Sequence, residues 1–143
     1  MHHAQARIAS MGSKGGFLDR PLTAGEAAQI EQLLRIDATN YLYSACVSIG
    51  EAPQGIERSL FTWATVKLYY SAFYLLRSLL ALSGRALAYN GTKPRTLSCR
   101  AGEVSISLGA VRGTHQTVIE YFTRSFPGSP LLSQEIVNEA PFK

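Results

Sequence analysis

Residues 56–82 read IERSLFTWATVKLYYSAFYLLRSLLAL, the longest and most apolar run in the chain. Between Leu60 and Leu82 the clearly polar positions are Thr62, Thr65, Lys67, Ser71, Arg77 and Ser78. Neither Gly nor Pro interrupts a run long enough for about six helical turns. The stretch predicts a helix from Ile56 to Leu82, buried on most sides. A membrane span also needs about 20 apolar residues. Lys67 and Arg77 argue against one, because each lies well inside the run, where a charge costs about 2.5 to 3.5 kcal/mol at the bilayer centre. No membrane partner is expected. At about 100° per residue, Lys67, Ser71, Tyr74 and Ser78 share one stripe, with Tyr70 and Arg77 beside it. A polar stripe of this kind is either the wet edge of a core helix or a surface that meets a second copy or lines a site. Aromatic residues and Arg are enriched at interfaces, so Lys67, Tyr70, Tyr74 and Arg77 are the expected contacts of a homodimer.

Working toward the N-terminus, Ala52 to Gly55, with Pro53 and Gly55, reads as a tight turn into this helix. Before it, Ala27, Ile30, Leu33, Leu34, Tyr41, Leu42, Ala45 and Cys46 recur at helical spacing. They predict an amphipathic helix from Thr23 to Ile49, opened by the capping box Thr23-Ala24-Gly25-Glu26 and ending near Gly50. So short a turn makes the two helices antiparallel neighbours. Residues 1–16, MHHAQARIASMGSKGG, are small and polar without a sustained period, and read as a disordered leader, of vector origin or preceding an alternative start at Met11. Residues 17–143 form the single domain that 143 residues and 46% hydrophobic content allow. The start has no charged-then-apolar signal segment, which points to a cytoplasmic protein.

Downstream, the helical period stops at Ser83-Gly84. From Arg85 to Gly113 the turn signals Asn90-Gly91 and Lys93-Pro94 predict a long loop, with a short extended piece at Val104, Ile106 and Leu108. A third helix follows from Thr114 through Val118, Ile119 and Phe122, and a fourth opens at Ser129-Pro130 and runs to Pro141. The chain ends soon after, as a truncated chain or a docking terminus would. The expected fold is all-α, an antiparallel bundle of four or five helices with a long basic loop between the second and third.

The excess charge is localised. The chain has 14 basic and 10 acidic residues, and the loop alone holds Arg85, Lys93, Arg95, Arg100 and Arg112 against Glu103. The rest is balanced at nine of each, so the whole net charge of +4 sits in one segment. Such a cluster suits a phosphate-bearing partner, or is simply solvated. Cys46 and Cys99 lie far apart with no metal-ligand spacing, and are read as free thiols, Cys46 buried on its helix. Neither a metal nor a cofactor is expected, and His115 is the one histidine of the predicted folded part.

Tyr69-Tyr70-Ser71-Ala72-Phe73-Tyr74-Leu75-Leu76-Arg77-Ser78-Leu79-Leu80 resembles the Tyr-Tyr-x-x-Phe-x-x-x-Arg-x-Leu-Leu helix of small prokaryotic HEPN-like domains, named for higher eukaryote and prokaryote nucleotide binding. Gly113-Thr114-His115-Gln116, opening a helix after a basic loop, is a second similarity. The resemblance implies a helical bundle, often paired as a dimer, in a family of RNA-cleaving toxins and defence components as well as inactive binding modules. Active members carry an Arg followed after four to six residues by a His. Here Arg112 and His115 have only two residues between them. Two functions follow as expectations. One is a module that binds RNA, a nucleotide or a partner protein without cleaving, in a prokaryotic defence or toxin-antitoxin setting. The other is a metal-independent ribonuclease using His115 as acid or base and Arg112 on the phosphate, or using a motif beyond the end of this chain.

Overall fold

The computed structural model describes residues 2–12, 16–90, 93–108 and 113–129. Its elements are α1 (His3–Gly12), a 3-10 turn (Phe17–Asp19), α2 (Ala24–Glu57), α3 (Phe61–Leu82), β1 (Arg85–Asn90), β2 (Lys93–Ser98), β3 (Ile106–Ser107) and α4 (Thr114–Ser125). The chain is mostly helical, as its periodicity predicts, but it is not all-α. The predicted helix after Ser129 lies outside the described residues.

The capping box at the start of α2 is formed: Glu26 N–H donates to Thr23 Oγ1 at 3.3 Å, and Thr23 N–H donates to Glu26 Oε2 at 2.9 Å. The Arg20 guanidinium, together with the Thr23 backbone, holds the Glu26 carboxyl down to about 2. The far end departs from expectation. α2 continues through Gly50 and Pro53 to Glu57, and α3 begins only at Phe61. Proline inside a helix costs about 3 kcal/mol. Ala52 and Gly55 beside it are buried, and a Cβ added at Gly55 would lie 3.3 Å from Ala64 Cβ, so this glycine permits close helix approach rather than a turn. The turn falls instead at Ser59, which has a φ of 59°.

Residues 3–12 are no disordered leader. Ala4, Ile8 and Met11, spaced four and three apart, enter the core beside Ile30, Leu34 and Ala38 of α2. The helix is capped from outside itself. Asp37 of α2 accepts the N–H groups of His3 at 2.8 Å and Ala4 at 2.9 Å, satisfying two donors that a helix start leaves free.

The predicted loop is largely a three-stranded antiparallel sheet in the order β1-β2-β3, paired from Arg85↔Ser98 to Asn90↔Lys93 and at Arg95↔Ser107. Only its short last strand coincides with the expected extended piece. Gly84, at a φ of 67°, turns the chain out of α3 into β1. Ala86, Ala88 and Leu97 pack into the core with α1 and α2, while Leu87 packs with Phe73, Val118 and Phe122 of α3 and α4. A sheet covered on both faces has no simple inside-outside alternation to read.

α3 is less buried than its sequence predicts. Phe73 is 6% exposed and Leu76 partly buried, but Trp63 is 53% exposed. Of the cysteines, Cys99 is the buried one, its thiol pushed up to about 12 by burial, and Cys46 is exposed.

Candidate functional site

The polar stripe of α3 faces α2 of the same chain. Lys67 pairs with Glu51, Tyr74 stacks on Tyr41 with ring centroids 6.5 Å apart, and Ser78 Oγ donates to Ala38 O at 3.0 Å. Small residues at Ala64, Ser71 and Ser78 keep the helices close. Arg77 lies over the Tyr41 ring, 4.3 Å from its centroid. Tyr70 and Tyr74 are partly buried against the α3–α4 core. The residues expected to contact a second copy are therefore spent largely on contacts within the chain.

Around Arg77 a small polar cluster joins α1, α2 and α3. Tyr41 Oη is 2.7 Å from His2 Nδ1, and Arg77 Nη1 is 3.3 Å from His2 Nε2. A guanidinium only donates, so Nε2 accepts; in the neutral ring Nδ1 then carries the proton and donates to Tyr41. Loss of hydration and then the Arg77 charge hold His2 below its ordinary pKa, against the opposing pull of Asp37. Burial pushes the Tyr41 hydroxyl up to about 12. The neighbouring cleft between α1, α2, α3 and β1 measures about 30 Å³, room for a solvent molecule or two rather than a substrate.

His115, in the first turn of α4, meets three rings of α3 edge-on. Its centroid is 4.4 Å from Phe73, 5.4 Å from Tyr69 and 5.6 Å from Tyr70. Among the described residues no side chain hydrogen-bonds its ring nitrogens. Arg112 lies outside the described residues.

The structure scatters the other predicted phosphate-binding cations. Arg95 is committed to the fold: its guanidinium donates to Ser105 Oγ at 2.6 Å, Ser105 O at 3.1 Å and Leu18 O at 3.3 Å, and pairs with Asp19 at 2.9 Å. Arg85 lies 5.9 Å from the Phe126 ring centroid. Lys93 and Arg100 are exposed. Among the described residues no group of three or more His, Cys, Asp or Glu side chains could hold a metal ion, and no helix is long and apolar enough to cross a membrane.

A different surface stands out. Phe61, Leu68, Leu75, Leu79 and Leu82 of α3 are between 37% and 63% exposed, and Leu42, Ile49 and Ile56 of α2 between 47% and 51%. All but Phe61, at the start of α3, follow by one position a residue that α2 and α3 turn toward each other or toward the core, such as Tyr41, Ser48 and Gly55 on α2 and Tyr74, Ser78 and Ala81 on α3. In antiparallel helices a step of one residue turns both to the same side of the pair. Together they make one apolar face. Isolated apolar residues on a sequence wheel look like core; only the placement of α1, the sheet and α4 shows which of them remain uncovered by the described residues. No family model matches the chain, and neither the curated proteins nor the solved structures contain a match.

Proposed function

We propose that this chain is a HEPN-like helical binding module that works by contact and does not cleave RNA. The apolar face of the α2–α3 hairpin carries this conclusion: eight large side chains share one side of the hairpin, and soluble monomers rarely leave contiguous apolar patches beyond a few hundred Å² uncovered. A module acting through contact needs such a face; a nuclease acting in a pocket does not. His115, packed on three aromatic rings, supports the same reading. RNA or a nucleotide is the polar partner, met by Lys93 and Arg100, exposed members of the basic segment among the described residues, with Arg85 of the same segment. A prokaryotic defence or toxin-antitoxin setting rests on the resemblance of the Tyr69–Leu80 stretch.

Incubation of the purified chain with total RNA tests this. RNA stays intact with the wild type and with His115→Ala alike, and an RNA oligonucleotide binds with an affinity that falls steeply with salt. Replacing Lys93 and Arg100 together with Gln lowers the log-log salt slope by about 1 to 2 units. Degradation that disappears in His115→Ala establishes the ribonuclease instead. Failure to bind RNA at low salt leaves a protein as the partner class.

A further inference from the structure

The exposed side of α3 is periodic along its whole length. Phe61, Thr65, Leu68, Ala72, Leu75, Leu79 and Leu82 follow one another at alternating steps of four and three, and all seven are exposed. Alternation of fours and threes keeps one stripe in register along a helix and is the pattern by which helices pair side by side. The stripe is uncharged: Lys67 and Arg77, the charged residues of α3, lie on other faces against Glu51 and Tyr41. Leu42, Ile49 and Ile56 of α2, at seven-residue steps, widen it on the same side.

We propose that a second copy of this chain covers the face, with its α3 antiparallel to the first about a two-fold axis beside Ala72. This deepens the binding-module conclusion by naming the partner at the hairpin, and rests on it. Self-complementarity favours a second copy. About Ala72 the steps run three, four, three in one direction and four, three, four in the other, so Leu68 meets the partner's Leu75, Thr65 the partner's Leu79 and Phe61 the partner's Leu82. The smallest side chain of the stripe falls at the crossing, where two helices come closest, and the bulkiest falls at its end. Two-fold contacts require one patch to match itself in this way. The size also fits: eight large side chains left about half exposed offer on the order of 700 Å² per chain, close to the ~800 Å² per partner of a standard stable interface.

Light scattering on the full chain at micromolar concentration reads the outcome, with a mass of twice 15.6 kDa expected. Leu68→Glu and Leu75→Glu each weaken dimerisation by about a hundredfold or more, because a two-fold interface carries every substitution twice. Both keep the helical circular dichroism of the wild type. Val47→Glu, on the opposite side of α2, remains dimeric. A second measurement does not depend on charged variants: in a Cys46→Ser background, Ala72→Cys oxidises to a disulfide-linked dimer and Val47→Cys does not. A monomeric wild type, a dimer indifferent to both Glu substitutions, or equal cross-linking at both cysteine positions overturns the proposal. RNA cleavage and binding are scored separately, so a monomer that binds RNA without cleaving it removes the second copy and leaves the binding module standing.

Discussion

The Asp37 carboxylate accepts the Ala4 backbone N–H at 2.9 Å from 33 residues further along the chain, so the first turn of α1 is capped by the middle of α2. Asp37 is 2% exposed, and its other oxygen takes the His3 N–H. Removing it strands one buried donor and one partly buried donor and withdraws a negative charge from the positive end of a helix. Asp37→Ala is expected to lower the stability read by urea unfolding by about 2 to 4 kcal/mol. Asp37→Asn retains one acceptor and loses roughly half as much. Protease cleavage within residues 3–12 should rise in the same order.

Arg95 and Arg100 look alike in the sequence and differ in the fold. Arg95 ties β2 to Leu18 and Asp19 of the 3-10 turn and to Ser105 ahead of β3, whereas Arg100 is exposed. Arg95→Gln is expected to cost about 1 to 3 kcal/mol in denaturant unfolding, since partly buried acceptors lose a charged donor. Arg100→Gln stays within about 0.5 kcal/mol. Equal effects would remove the structural role given to Arg95.

The α2–α3 hairpin was legible because long apolar periodicity and a capping box are local signals, as Thr23 and Glu26 bear out. Its turn was not. Gly50, Pro53 and Gly55 break an isolated helix, and only the proximity of Ala64 makes a helical Gly55 favourable. α1 carried a faint signal at Ala4, Ile8 and Met11, but its cap comes from Asp37, which no local pattern reveals. The sheet was hidden by Ala86 and Ala88, small residues of low strand preference whose neighbour Leu87 enters a second core. At the candidate site, residue types were legible and directions were not. Lys67, Tyr74 and Ser78 were visible as a stripe, yet a wheel cannot say whether the stripe meets α2 or another chain.

Close approach at Gly55 gives a graded test of the hairpin. Gly55→Ala adds one Cβ at 3.3 Å from Ala64 Cβ, a few tenths of an ångström too tight, while gaining about 1 kcal/mol of helix preference, so it should be near neutral. Gly55→Leu must part the helices, and overpacking of this kind costs about 1 to 3 kcal/mol. Urea midpoints separate the two, and a neutral Gly55→Leu would mean that the tip of the hairpin does not close as described.

The His2 contacts make a small part of stability depend on pH, with a definite sign. Burial and the Arg77 charge lower the His2 pKa in the fold from its ordinary 6.5. Between that lowered value and 6.5 the unfolded chain binds more protons, so unfolding free energy rises with pH across the window. The contribution is complete above 6.5 and is lost as pH falls through the folded value, where a protonated Nε2 can no longer accept from Arg77. Replacing His2 with Gln removes the titrating group. Melting temperatures of wild type and His2→Gln should therefore differ above pH 6.5 and converge toward the acid side, with the His2 ring protons in an NMR titration giving a midpoint below 6.5. A midpoint above 6.5 would reverse the sign and place the ring away from Arg77 in solution.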